Sequence, residues 1–169
     1  KEVGTMEQIM VTPITPGEFI LGKTTPFALI GFADVLLIAF VAVFWFEVPI
    51  RGNLALLFAA TGIYIMTTLG IGLLISTVSS TQQQAMMSTF FFYFPAVLLS
   101  GFMFPIDNMP IAVQWLTYAN PLRYFLVIIR GIFLKGVGAP VLWPQMAVLF
   151  GMGAAVLWFA ANRFTKTNA

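Results

Sequence analysis

Four long apolar stretches divide the chain, at 27–46, 54–78, 85–104 and 141–161. Each has about the 20 residues that a helix rising about 1.5 Å per residue needs to cross the hydrocarbon of a bilayer. Lipid offers nothing to an unpaired backbone amide, so stretches of this kind must be helices. None shows the strict alternation of a barrel strand. The pattern predicts an all-α membrane protein with four transmembrane helices.

The polar intervals differ in kind. EVPIRGN (47–53) and SSTQQQ (79–84) are short and read as hairpin turns. The interval 105–135 is too long for a turn and too apolar for a solvated loop. Its second part places Leu122, Phe125, Leu126, Ile129 and Phe133 on one helical face and Arg123 and Arg130 elsewhere. Its first part has Asn108 as a possible cap and carries Trp115 and Tyr118, residue types enriched at the headgroup boundary. Two short helices split at Asn120-Pro121 fit either a re-entrant hairpin or a pair lying on the membrane surface.

Residues 1–26 form a polar foot. Thr5 and Gln8 make a capping box with Glu7 in the first turn, and the short helix so started turns Met6, Ile9 and Met10 to one side. Pro13 ends it. A second start follows, with Thr15 as cap, Pro16 at the first helical position and Glu18 reaching back. The expectation is an elbow whose first arm offers a flexible apolar patch, either to another protein or to lipid headgroups.

Composition narrows the chemistry. The chain is 60% hydrophobic and 8% charged, against about 25% charged in soluble domains. It contains neither cysteine nor histidine, which removes thiol nucleophiles, disulfides and the commonest general base and metal ligand. No catalytic or metal site is expected. Its net charge of +2 is spread thinly, so nucleic acid is not an expected partner. Because it begins at Lys1 without a leader, the chain reads as part of a longer one. Basic residues are balanced between the two sides, Lys1, Lys23, Arg163 and Lys166 against Arg51, Arg123, Arg130 and Lys135, so charge alone does not orient it.

Two motifs carry a family resemblance. EVGTMEQIMVTPITPGEFILGK (2–23) resembles the cytoplasmic segment between the second and third spans of type-2 ABC transporter permeases, and SGFMFPIDNMPIAVQWLTYANPLRYFLVIIRGIFLKG (100–136) resembles their extracytoplasmic part. The similarity is closest to bacterial multidrug or lipid exporters and covers essentially the whole chain. It implies that these are the last four of six spans, with both termini cytoplasmic in a bacterial inner membrane. It also implies that Glu2, Gly4, Thr5, Met6, Glu7, Ile9, Met10 and Glu18 belong to a coupling helix and elbow that meet a separate ATP-binding-cassette ATPase. The region 105–135, with Pro105, Pro110, Asn120, Pro121, Arg123 and Arg130, would supply gate helices. ATP and Mg would be held by the partner, in keeping with the lack of a GxxxxGK[ST] loop here. A second permease, identical or similar, would complete the path within the membrane lipids.

Candidate path residues are few. Asp34 is the one acidic residue within a span, a costly placement that marks a functional candidate, with pairing to a neighbouring hydroxyl as the alternative. Thr61, Tyr64 and Thr68 share a face of the second span, as do Thr89 and Tyr93 on the third; hydroxyls on such faces also serve as helix-to-helix glue. Of the run FFFYFP, Phe90 and Phe94 could share one side, with Pro95 expected to kink the helix. Ala147, Gly151 and Ala155 form a small-residue ladder suited to helix packing. Competing readings are a glycan-exporting permease and a non-transporting membrane scaffold.

Overall fold

The computed structural model describes the backbone of residues 16–167 and the side chains of residue 18 and residues 21–160. The predicted arm with Glu2, Gly4, Thr5, Met6, Glu7, Ile9 and Met10 lies outside the described residues. Among those described there is no strand. Six α-helices follow in order: α1 (Pro16–Phe44), α2 (Leu54–Val78), α3 (Gln82–Leu98), α4 (Ile111–Thr117), α5 (Pro121–Arg130) and α6 (Ala139–Thr167). A 3-10 turn (Ile106–Asn108) precedes α4, and a π-helical segment (Gly131–Lys135) continues α5.

Three helices among the described residues are long and apolar enough to cross a membrane: Leu21–Phe44 within α1, α2, and Ala139–Ala160 within α6. The stretch 85–104 departs from expectation. Its helix runs only the seventeen residues from Gln82 to Leu98, about 25 Å against a hydrocarbon core of about 30 Å. Ser100 turns the chain there: its hydroxyl donates to the Val97 carbonyl at 2.6 Å and accepts the Phe102 amide at 3.2 Å. Gly101 follows at φ +80°, a conformation a side chain would strain.

α1 also differs from its forecast, running unbroken from the foot into the span with Pro26 inside it. Proline removes one amide donor. Immediately before it, the Thr25 hydroxyl donates one turn back to the Leu21 carbonyl at 2.6 Å. At its far end Glu47 adopts φ +52° and the Val48 amide folds back onto the Ala42 carbonyl at 2.9 Å, which closes the helix. α2 starts cleanly because Asn53 caps it, its side chain accepting the Ala55 amide at 2.8 Å. Thr81 does the same for α3, accepting the Gln84 amide at 3.2 Å, while Gln84 reaches back to the Ser80 amide at 2.9 Å. That is a capping box in all but one residue of register.

The core forms where α2, α5 and α6 meet, through Leu57, Ala60, Phe125, Ile128, Ile132, Leu142 and Leu149. α2 and α6 run parallel, for Thr67 lies against Gly153 and Gly70 against Val156 and Leu157. A Cβ on Gly153 would fall 2.6 Å from Thr67 Oγ1, so only a bare backbone fits. The expected ladder lies on the wrong side: Ala147, Gly151 and Ala155 are exposed, and nothing approaches Gly151. α1 leans on α2 through Gly31 against Ile65 and Phe32 stacked 6.4 Å from Phe58. No residue of α3 is buried.

Candidate functional site

The gate region is built on α5, which is sunk into the bundle and not laid on a surface. Phe125, Ile128 and Ile132 are its buried stripe, one step round from the predicted face. Leu122, Ile129 and Phe133 flank it, half-buried, because α2 and α6 cover the helix from two sides. The Phe125 ring lies flat on Tyr64 of α2, centroids 4.1 Å apart and planes 2° from parallel. At its upper end the π segment meets the α1–α2 turn. A Cβ on Gly52 would come 2.7 Å from the Ile132 carbonyl, and Gly136, at φ +63°, sits 2.9 Å from Arg51 Cβ by the same measure. A side chain at Gly136 would face both strain and collision.

Asn120 starts α5. Its Oδ1 accepts the Leu122 amide at 3.1 Å while its Nδ2 donates to the Ala96 carbonyl of α3 at 2.6 Å. Pro121 occupies the first helical position, where a missing amide costs nothing. Arg123 turns back to donate to the buried Thr117 hydroxyl, and its guanidinium lies 4.0 Å over the Tyr118 ring. Tyr124 closes the same bend, its hydroxyl donating to the Tyr118 carbonyl at 2.9 Å. Arg130 donates to the Gly101 carbonyl at 3.1 Å, tying α5 to the turn after α3. The predicted Asn108 cap is not used. Asn108 closes the 3-10 turn onto Pro105, and α4 begins after Pro110 without a side-chain cap.

The path candidates separate into two groups. Thr61 is fully buried in the core and its hydroxyl has no hydrogen-bond partner. Tyr64 is held by its stack, and Thr68 turns its hydroxyl onto the Tyr64 carbonyl of its own helix at 3.1 Å. These three face the chain's own packing. Asp34 is exposed on α1. On α3, Phe90, Tyr93 and Phe94 are exposed, with Phe90 and Phe94 stacked 5.8 Å apart, and Thr89 bonds back to the Ala85 carbonyl at 2.8 Å. Glu18 stands exposed in the first turn of α1. The structure therefore brings the gate residues together but leaves Asp34 and the α3 aromatics on open surfaces.

Comparison with known proteins decides the class. Residues 1–134 match the family described as ABC-2 type transporter. The chain belongs to the ABC-2 type transporter family. Within it, the chain is 39% identical over 168 residues to the probable multidrug ABC transporter permease YbhS of Escherichia coli K12, covering 99% of this chain and 44% of that protein. It is 36% identical over 159 residues to the probable multidrug permease YbhR of the same strain, covering 92% and 43%. The inner membrane transport permease YhhJ of that strain is 30% identical over 172 residues, covering 99% and 45%. The chain thus spans less than half the length of these relatives. No solved structure matches it.

Two features of this ABC-2 chain escaped the sequence reading. Asn120 was legible as a break, but its bond to Ala96 joins residues 24 apart, a pairing no local pattern encodes. A cleft of about 400 Å³ opens at the other end of α2, lined by Leu74, Ile75, Val78, Ser79, Ser88 and Phe159. It draws on three helices, so no single stretch announces it.

Proposed function

We propose that this chain is the C-terminal part of a permease subunit that moves amphipathic or lipid-like compounds, drugs among them, outward across a bacterial inner membrane. ATP, with Mg, is hydrolysed on a separate ATP-binding-cassette ATPase, and a second permease, identical or similar, completes the path. The chain itself is the pathway and does no chemistry. The observation that carries this reading is the family match over residues 1–134, which spans the foot and the gate together. The likeness to the probable multidrug permeases YbhR and YbhS supports drugs as substrates, and the likeness to the inner membrane transport permease YhhJ supports the inner membrane.

In this reading the chain makes four crossings, by α1, by α2, by a third that α3 begins, and by α6, with both ends cytoplasmic. Residues 45–53 and 131–138 then lie toward the outside, where α2 and α6 start side by side. Thr5 to Val11 is the coupling arm, and α1, continuous from Pro16, carries its displacement into the membrane. A rigid helix transmits such a movement better than a hinged one. Phe90, Tyr93, Phe94 and Asp34, all exposed, are the side chains free to meet a substrate.

The test is to replace Met6, Ile9 and Met10 together with Asp in the full-length permease and measure co-purification with its ATPase and ATP-driven dye efflux. Loss of both is expected. Undiminished association and efflux would remove the coupling role from the foot. Absence of ATP-driven efflux in the unaltered complex across a panel of cationic and neutral amphiphiles would count against drug export.

A further inference from the structure

The levels at which the helices meet can be read from their contacts. α2 and α3 are joined by residues 79–81 alone, so they set out level from one end of the bundle. Ala96 comes fourteen residues after Gln82, a climb of about 21 Å. The same climb back along α2 from Val78 reaches Tyr64. α5 gives an independent mark: Phe125 rests on Tyr64, and Ile132, seven residues later, touches Gly52 beyond the far end of α2. By both routes, the end of α3 and the start of α5 meet about 15 Å below Leu54, far inside a helix that crosses the membrane.

At that depth every backbone group needs a partner from the protein. The Ala96 carbonyl, among the last of α3, takes the Nδ2 proton of Asn120; the Leu122 amide, the first that α5 must cap, donates to its Oδ1. Ser100 serves the Val97 carbonyl and the Leu99 amide serves Pro95. Asn120 is buried. A side-chain amide holds a donor and an acceptor fixed in one plane, whereas an ionised Asp at this position offers acceptors alone and Ala offers neither.

We propose that the third crossing is made in two pieces, α3 as far as mid-depth and α5 with Gly131–Lys135 from there to the outer surface, spliced end to end by the side chain of Asn120. Residues 99–119 are a detour that returns to the splice. The joint is where the gate hairpin can part from α3, because separation there breaks side-chain bonds while both helices stay whole. Asn120 is thus a positioning residue that holds the hairpin closed, an inference that rests on the transport reading above.

This chain has no cysteine; with any cysteines elsewhere in the full-length permease and its ATPase replaced, spin labels at Phe92→Cys on α3 and Val127→Cys on α5, both exposed positions, report on the joint in nanodiscs. Without nucleotide, one narrow distance is expected. Asn120→Ala should raise the separated population about tenfold, the scale set by a buried carbonyl left unpaired. Asn120→Asp, measured at a pH that keeps the carboxyl ionised, retains an acceptor for Leu122 but offers Ala96 no donor, and should separate the pair equally while α5 stays helical. If Asn120 were a helix cap alone, Asp would behave as Asn; that result, or unchanged distances in Asn120→Ala, overturns the splice. ATP-driven efflux by the unaltered complex tests the transporter reading separately, since the distances are read without transport.

Discussion

Thr67 and Gly153 share one space: a Cβ built on the glycine falls 2.6 Å from the threonine Oγ1. That hydroxyl donates to the Ile63 carbonyl of its own helix at 2.8 Å and lies 3.4 Å from the Leu149 carbonyl of α6. Close approach of parallel helices in lipid rests on packing of this sort, because lipid supplies no hydrophobic drive between helices. Gly153→Val should force α2 from α6 and cost about 1–3 kcal/mol, the usual range for overpacking. Gly151→Val, on the open side, should shift the thermal midpoint in detergent by far less. Equal shifts would mean that α6 packs through another face.

The stack of Tyr64 on Phe125 separates a packing role from a path role. Tyr64→Phe keeps the stacked rings and should leave stability and efflux unchanged. Tyr64→Ala should lose at least the about 0.5–1.5 kcal/mol of an aromatic pair and loosen α5, seen as faster proteolysis of the 105–135 segment. Efflux lost in Tyr64→Phe at full stability would instead give the hydroxyl a part in transport.

Asp34 lies exposed within the span Leu21–Phe44. Since it supports no packing within this chain, Asp34→Asn should stay within about 0.5 kcal/mol of the parent in unfolding measurements. If it meets substrate, efflux of a lipophilic cation should fall about tenfold, or about 1.4 kcal/mol, while a neutral dye is spared. Equal losses for both dyes would deny its charge a role.

Arg123 and Arg130 act at different places. Arg123 bonds within the hairpin, to Thr117, whereas Arg130 ties the hairpin to Gly101 after α3. Arg130→Leu should therefore raise basal leak of a preloaded dye from proteoliposomes, and Arg123→Leu should act mainly on hairpin stability, costing about 1 kcal/mol in unfolding measurements for a lost hydrogen bond. Identical effects on leak would show that the two serve one function.

The amino-acid sequence by itself determined the all-helical fold class and where most helices start, although the cap expected at Asn108 is not used. The runs are too apolar for water and must pair their own backbones, and Asn53, Pro16 and the Asn120-Pro121 step start helices through bonds only a few residues long. Local chemistry is written locally. It also carried the family, because the foot and gate motifs are contiguous strings. What the tertiary structure decided were the choices among faces of equal hydrophobicity. Gly153 packs where Gly151 does not, Ile128 is buried where Leu126 is only partly so, and Thr61 lies in the core. Each depends on which neighbour arrives, and in lipid the apolar pattern does not say, since lipid and protein interior are equally apolar. The end of α3 was settled in the same way. Residues 85–104 look like a full span by composition, yet the helix stops at Leu98 because Gly101 turns the chain while Ser100 and a side chain 24 residues beyond Ala96 satisfy its last carbonyls.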